Sequence, residues 1–137
     1  MRRVKSCGFF IFARAPVRGF LLLRTASRFD LPKGHMEPGE TELETAHREL
    51  FEETGIAAHE LEQDTTFRFE TTYPYTRKNG EPCTKTLTMF LASIEKPRDL
   101  QLTEHRGFEW REWRPPHLVQ PHTIDALLAA VEAHLKR

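Results

Sequence analysis

Three glutamates near the middle of the chain, Glu49, Glu52 and Glu53, are spaced so that they can act together. At about 100° per residue, a helix places residues three and four positions apart on one side, so these carboxylates would share one arc. Like charges at this spacing repel one another and weaken an isolated helix. A divalent cation would relieve that repulsion, and carboxylate oxygens without cysteine or a close histidine pair suit Mg²⁺ or Mn²⁺ better than Zn²⁺. A solvated acidic helix face is the alternative that the helix by itself leaves open.

The residues around the glutamates predict this helix. Thr41 followed three residues later by Glu44 is the pattern of a capping box, and Gly55 stands where a helix end favours a residue with positive φ. The apolar residues of the same segment share one face: Leu43, Ala46 and Leu50. The helix is therefore expected to face the core with its apolar side and to hold the carboxylates at the edge of that side.

A longer pattern over residues 34–56 contains the three glutamates. Glu40 follows Gly34 after five residues, Arg48 and Glu49 follow after seven more, and the glutamate pair at 52–53 leads to Gly55 and an apolar residue. This pattern resembles the Nudix box, the signature of hydrolases that cleave nucleoside diphosphates linked to another group. The resemblance implies an α+β architecture of the α/β/α kind, in which a mixed β-sheet is sandwiched between α-helices.

The resemblance extends beyond the box. Residues 7–12 (CGFFIF), 31–40 (LPKGHMEPGE), 85–86 (KT) and 103–110 (TEHRGFEW) are similar to the asymmetrical diadenosine tetraphosphate hydrolases of the animal and archaeal type. That family implies Mg²⁺-dependent hydrolysis of diadenosine tetraphosphate to ATP and AMP. Two alternatives stay open: a Nudix pyrophosphohydrolase acting on RNA 5′ ends or damaged nucleoside triphosphates, and a non-catalytic nucleotide-binding module.

The family also implies roles for the acidic side of the site. Glu49, Glu52 and Glu53, with the carbonyl of Gly34, would hold the metal. Arg48 together with Glu40 would stabilise the conformation of the box. Without the family resemblance, Arg48 would be interpreted as forming an ordinary ion pair with Glu52 on the helix surface. Glu104 lies on a later loop and would be a general base or a further metal ligand; without the family it would read as a solvated loop residue.

Substrate contacts are expected from cations and aromatic rings. A chain of zero net charge must concentrate positive charge locally to bind a polyphosphate, and the candidates for that are Lys33, His35 and Lys85. Tyr73 or Tyr75 is the candidate for stacking on a base. The second stacking position of the family falls at His122, a departure that leaves selectivity for adenine open.

The size and composition of the chain limit the kinds of protein that it can be. The chain has 137 residues, of which 39% are hydrophobic, and we expect one domain over 1–137. Its 20 basic and 20 acidic residues argue against a stable complex with nucleic acid. Two cysteines without a disulfide framework, and no segment typical of a signal peptide or a membrane span, lead us to expect a cytoplasmic monomer that acts on a small molecule.

The remaining sequence predicts the elements that position the site. Apolar runs predict strands over 4–13 and 20–24, a hairpin of residues 65–75 and 85–93 turning near Asn79-Gly80, and a short strand at 108–112. Residues 29–33 are expected to be a loop that delivers Lys33, Gly34 and His35 to the helix. A C-terminal amphipathic helix is predicted from five apolar residues: Ile124, Leu127, Leu128, Val131 and Leu135.

Overall fold

The structure, a computed structural model, describes residues 2–137 and contains one mixed sheet and two α-helices. The strands are β1 (Arg2–Ala13), β2 (Gly19–Arg24), β3 (Phe29–Asp30), β4 (Lys33–His35), β5 (Glu62–Thr76), β6 (Pro82–Ile94) and β7 (Gly107–Glu112). The helices are α1 (Glu42–Thr54) and α2 (Thr123–Leu135), with a single 3₁₀ turn at Ala58–Glu60. Neither α-helix has both the length and the apolar character that a membrane crossing requires.

The long strand β1 is the centre of the sheet. The strand order is β3-β2-β1-β6-β5, with β4 added to β1 and β7 added to β2. β1 and β6 run parallel from Arg2 opposite Cys83 to Ala13 opposite Ile94, whereas every other pair is antiparallel. The sheet is therefore mixed, as predicted.

Both faces of β1 are buried, which explains its continuous apolar sequence. Successive side chains of a strand point to opposite faces, so Phe9 and Ile11 join one apolar layer while Phe10 and Phe12 join the other. The first layer contains Leu50 of α1, and the second contains Leu127 of α2. The sheet thus lies between the two helices, and the predicted α+β sandwich is confirmed.

Helix α1 begins and ends as its sequence predicts. The Thr41 side chain accepts from the Glu44 N–H at 3.1 Å, and the Glu44 side chain accepts from the Thr41 N–H at 2.8 Å. Gly55 follows the helix with φ 82°, in the left-handed region that glycine tolerates without a steric penalty. These caps set the boundaries of the helix that carries the glutamates.

Two local predictions were wrong. The segment before the box is not a loop throughout, because Phe29–Asp30 and Lys33–His35 form the short strands β3 and β4. Lysine and glycine have little strand propensity, and β4 exists because its backbone pairs with β1, placing Gly34 opposite Cys7. In addition, Leu135 is 38% exposed, since the buried face of α2 ends at Val131.

We predict that Leu50→Ala lowers the free energy of unfolding by about 2–5 kcal/mol, because it leaves a cavity in the layer between α1 and the sheet. Leu50 is fully buried, whereas the next residue, Phe51, is 58% exposed. Phe51→Ala is therefore the matched control, with an expected change within about 0.5 kcal/mol. Urea unfolding followed by circular dichroism measures both. Equal losses in the two variants would contradict this packing.

Candidate active site

The site begins where strand β4 lies directly against helix α1. A Cβ atom on Gly34 would lie 2.1 Å from Cδ of Glu49, so any other residue here would have to displace the Glu49 carboxylate. Next to it, the backbone N–H of Lys33 donates to Oε1 of Glu53 at 2.9 Å. Two of the three glutamates are thus held against the backbone of β4.

Arg48 joins the helix to the segment that follows β4. Its Nε donates to Oε2 of Glu40 at 2.6 Å, and its Nη2 donates to the carbonyl of His35 at 2.9 Å. Its Nη1 lies 2.9 Å from Oε1 of Glu49 and 3.2 Å from Oε1 of Glu52. The guanidinium therefore makes both the contact with Glu40 that the family implies and the ordinary helix pair with Glu52.

These hydrogen bonds change the acid strength of the groups involved. Hydrogen bonds from Arg48 are the largest reason that the pKa of Glu40 falls to about 2. By contrast, burial raises the pKa of Glu49 and that of Glu53 above the usual glutamate value. Glu40 is therefore a firmly charged partner for Arg48, whereas for Glu49 and Glu53 burial outweighs the effect of their hydrogen-bond partners.

A cavity of about 540 Å³ collects the acidic residues. Its lining includes Gly34, Glu49, Glu52, Glu53 and Glu104. Glu104 is exposed, and within residues 2–137 its carboxylate has no hydrogen-bond or ion-pair partner. In the described chain no three acidic, histidine or cysteine side chains already converge on one point, since Glu49 and Glu53 are turned toward Arg48 and the Lys33 N–H.

Two further residues in this cavity, Asp30 and His105, were missed by the sequence analysis. Nε2 of His105 lies 2.8 Å from Oδ2 of Asp30, and Nζ of Lys33 lies 3.1 Å from Oδ1 of the same carboxylate. Burial alone would raise the pKa of Asp30, but its bond with His105 and the charge of Lys33 outweigh burial and lower it. The same bond raises the pKa of His105. These residues form a charged network beside Glu53.

A second, larger cavity of about 920 Å³ carries the aromatic residues. Its lining includes Lys33, Tyr73, Tyr75, Lys85 and His122. The antiparallel register sets Tyr73 opposite Lys85, and Nζ of Lys85 lies 4.6 Å from the centre of the Tyr75 ring. His122, the residue that immediately precedes α2, has a φ of 71° and also lines the cavity. The hairpin and the start of α2 thus both line this cleft.

The acidic cavity and the aromatic cleft are continuous, because Asp30, Lys33 and Lys85 line both of them. His35 lines the acidic cavity, and its ring lies 6.5 Å from that of Tyr75. The structure therefore brings every predicted substrate and metal residue to one continuous surface. Arg48 does not line this surface; it contacts Glu49, which does.

The pKa values of the two neighbouring lysines, Lys33 and Lys85, shift in opposite directions. Burial lowers the pKa of Lys33, but the charge of Asp30 outweighs burial and the net shift is upward. Within residues 2–137 Lys85 forms no ion pair, so burial and the charge of Lys33 outweigh the charge of Asp30 and lower the pKa of Lys85 to about 8. Lys33 is a permanent cation of the site, whereas Lys85 titrates in the range in which enzymes are assayed.

A model of the NUDIX domain matches residues 4–135. The chain belongs to the Nudix family. The asymmetrical bis(5′-nucleosyl)-tetraphosphatase of Rattus norvegicus is 36% identical over 120 residues, 78% of each sequence. The protein of the same name from Caenorhabditis elegans is 35% identical over 116 residues, 80% of this chain and 79% of its own. The predicted family is therefore confirmed.

Solved structures give the same result. The C. elegans Ap4A hydrolase in a binary complex superposes with a TM-score of 0.77 at 32% identity, over 97% of this chain and 98% of that one. The dihydroneopterin triphosphate pyrophosphohydrolase of E. coli has a TM-score of 0.64 at 24% identity, over 79% and 80% of the two chains, and shares the fold. The predicted Nudix fold is confirmed.

Nudix hydrolases use divalent metal ions, and the residues of this chain fit one. The carboxylates of the acidic cavity are hard oxygen donors of the kind that Mg²⁺ and Mn²⁺ prefer. Glu52 and Glu104 are exposed, and the absence of a side chain at Gly34 lets the Glu49 carboxylate lie against its backbone. A cation would also compensate the repulsion that raises the pKa of Glu53, to which Glu49 and Asp30 contribute beside burial.

We predict that anion binding to the cleft weakens as the pH rises through about 8, where Lys85 loses its charge. One charge-assisted hydrogen bond is worth roughly 1.5–3 kcal/mol, so affinity should fall about tenfold or more. Titration calorimetry with inorganic tripolyphosphate between about pH 7 and about pH 9 measures it. Lys85→Arg keeps the charge and should flatten the profile. An equal decline in both proteins would contradict the assignment to Lys85.

Proposed function

We propose that this Nudix protein hydrolyses diadenosine tetraphosphate asymmetrically, giving ATP and AMP. The observation that carries the proposal is the continuity of the acidic cavity with an aromatic, cationic cleft at one end of it. Relatives that are 35–36% identical carry the name asymmetrical bis(5′-nucleosyl)-tetraphosphatase. Asymmetric cleavage needs a base held at a fixed place relative to the reacting carboxylates. An aromatic cleft beside the acidic cavity would hold one base of a symmetrical substrate in this way.

Different parts of the site would bind the base and the phosphates of the substrate. A cleft of about 920 Å³ is the size of a nucleotide pocket, and Tyr73, Tyr75 and His122 supply rings on which a base can stack. Lys33, Lys85 and His35 lie between these rings and the glutamates, where a bound polyphosphate would run. Since the chain has no net charge, these local cations supply the attraction for a polyanion.

The proposed metal is Mg²⁺, with Mn²⁺ as a substitute. Glu49, Glu52 and Glu53, with the Gly34 carbonyl and Glu104, are the groups that would hold it. When bound, the cation supplies positive charge for phosphate oxygens that become more negative in the transition state. Arg48 would act as a positioning residue, because its bonds to Glu40 and the His35 carbonyl fix the helix against β4.

We assign the general base to Glu104. It comes from the loop before β7 and lines the same cavity as the helix glutamates. Its carboxylate is unpaired within residues 2–137, so it is free to take a proton from the attacking water. The hydroxide equivalent then joins phosphorus, and the bond from that phosphorus to the leaving phosphate oxygen breaks.

The proposal places the whole site on one domain of one chain. Every proposed contact comes from residues of the same chain, so a monomer suffices for activity. Both cysteines, Cys7 and Cys83, are free and buried, as is usual for proteins of reducing compartments, which supports a cytoplasmic location. The proposed partner is a small dinucleoside polyphosphate.

We predict that diadenosine tetraphosphate yields equal amounts of ATP and AMP in the presence of Mg²⁺, as measured by anion-exchange chromatography. Glu53→Gln is the control; it should lower kcat by orders of magnitude, because charge stabilisation by a metal is worth several kcal/mol. Its apo form should be as stable as wild type or slightly more so, because repulsion on α1 is relieved. ADP as the main product, or faster turnover of 5′-triphosphorylated RNA, would contradict the proposal.

We also predict that Glu104→Gln lowers kcat by about 10²–10⁴ and changes KM little, since it removes basicity while keeping shape. Lys85→Ala should act mainly on KM, because a phosphate contact is made in the ground state and the transition state alike. Steady-state kinetics at fixed Mg²⁺ separates the two effects. A Glu104→Gln enzyme whose kcat stays within about threefold of wild type would show that the base is elsewhere.

A further inference from the structure

A third cavity, of about 420 Å³, lies next to the two already described. Its charged lining consists of Arg24, Arg28 and Arg106, and its remaining lining residues, which include Thr25, Ser27 and Gly107, are uncharged. Among the described residues 2–137, no carboxylate lines this cavity. Three positive charges therefore surround one small cavity in a chain whose net charge is zero.

These three arginines are unpaired within residues 2–137: their side chains make no hydrogen bond and no ion pair there. Other arginines of the chain are engaged by acids. Arg68 pairs with Glu42 at 2.9 Å, and Arg98 pairs with Glu60 at 2.5 Å. Guanidinium groups around a cavity repel one another, and three of them carry about fifteen N–H donors. An anion would satisfy both the charge and the donors.

Backbone hydrogen bonds fix the relative positions of the three arginines. The N–H of Thr25 donates to the carbonyl of Arg28 at 2.9 Å, which closes the turn after β2. The N–H of Arg106 donates to the carbonyl of Arg24 at 2.8 Å. Arg24 is opposite Gly107 in the β2–β7 register, and a Cβ on that glycine would lie 2.9 Å from its Nη2. The guanidinium of Arg24 thus lies over a residue that leaves room for it.

This cavity is contiguous with both parts of the proposed active site. Thr25 lines it and the acidic cavity, and Arg28 lines it and the aromatic cleft. Arg106 follows His105 directly in the chain, and His105 lines the acidic cavity. A ligand that lies across the glutamates can therefore place an anionic group among the arginines without leaving the surface.

We propose that Arg24, Arg28 and Arg106 form a phosphate subsite that binds a phosphate of the substrate other than those held by Lys33 and Lys85. Guanidinium forks match the oxygens of phosphate and remain charged at any physiological pH. The inference rests on the proposed dinucleoside polyphosphate substrate. Two kinds of ligand offer such a phosphate: a longer bridging chain, as in a dinucleoside hexaphosphate, and a 3′-phosphate on the ribose of the leaving nucleotide.

Binding measurements on the full chain test the subsite and separate the two sources. The first arm compares the Kd of AMP with that of adenosine 3′,5′-bisphosphate. The second compares diadenosine tetraphosphate with diadenosine hexaphosphate in the Glu53→Gln background, where hydrolysis is slow. Each is repeated in the double variant Arg24→Gln/Arg106→Gln and in Arg3→Gln, which removes one exposed charge that lines none of the three cavities.

The ligand with the additional phosphate should bind at least about tenfold more tightly to the parent protein in one arm or the other. That advantage should disappear in the double variant and persist in Arg3→Gln, and the arm in which this happens identifies the source. The subsite is overturned if neither arm shows an advantage, if the advantage survives in the double variant, or if Arg3→Gln reduces it equally. Because these ratios measure binding, a failure of asymmetric cleavage would appear separately, in the product analysis.

The double variant also needs a check on folding. Arg24 and Arg106 are exposed and have no partner in the described chain, so their replacement should leave the melting temperature within a few degrees of the parent. A parent-like melting curve together with a lost phosphate advantage supports the subsite. If the melting temperature falls, the single variants Arg24→Gln and Arg106→Gln repeat both arms, and an advantage that survives in both overturns it.

Discussion

The structure depends on the close approach of Gly34 to Glu49. Three glutamates on one side of a helix repel one another. This repulsion costs least where other groups of the protein donate hydrogen bonds to the carboxylates. Here the donors are the backbone N–H of Lys33 in β4, which bonds to Glu53, and the guanidinium of Arg48, which bonds to Glu49. A larger residue at position 34 would displace the Glu49 carboxylate from the place where it lies against the strand. The position of Glu49 in the acidic cavity therefore depends on this glycine.

The charges beyond that junction are arranged in sequence along the surface. The glutamates come first, then the network of Asp30, His105 and Lys33, and then Lys85 among the aromatic rings. Asp30 keeps Lys33 charged, whereas Lys85 has burial and a cationic neighbour acting on it. A polyanion that contacts the cleft thus meets one fixed and one titratable cation before it reaches the carboxylates. Next to both parts of the site, three arginines that have no partner within residues 2–137 line a further cavity.

Local signals in the sequence predicted the parts of the site that one element can form. The capping box at Thr41 and Glu44, the glycine at 55 and the glutamate spacing depend on neighbours within a few residues, and they predicted the helix to its ends. The family resemblance added Glu104, Lys85 and His122, which come from three other segments. What could not be predicted depends on pairing between distant segments. Asp30 and His105 are 75 residues apart, and strand β4 is formed by β1 rather than by its own propensity.

A crystal structure of the protein soaked with Mn²⁺ tests most directly whether α1 and β4 together form the metal site. Anomalous scattering locates the ion independently of how the side chains are built. We expect a peak in the acidic cavity, bound by carboxylates of Glu49, Glu52 and Glu53 and by the Gly34 carbonyl, at oxygen distances of about 2.0–2.3 Å. A peak elsewhere on the chain, or no peak while Glu53 still accepts the Lys33 N–H, would contradict the account.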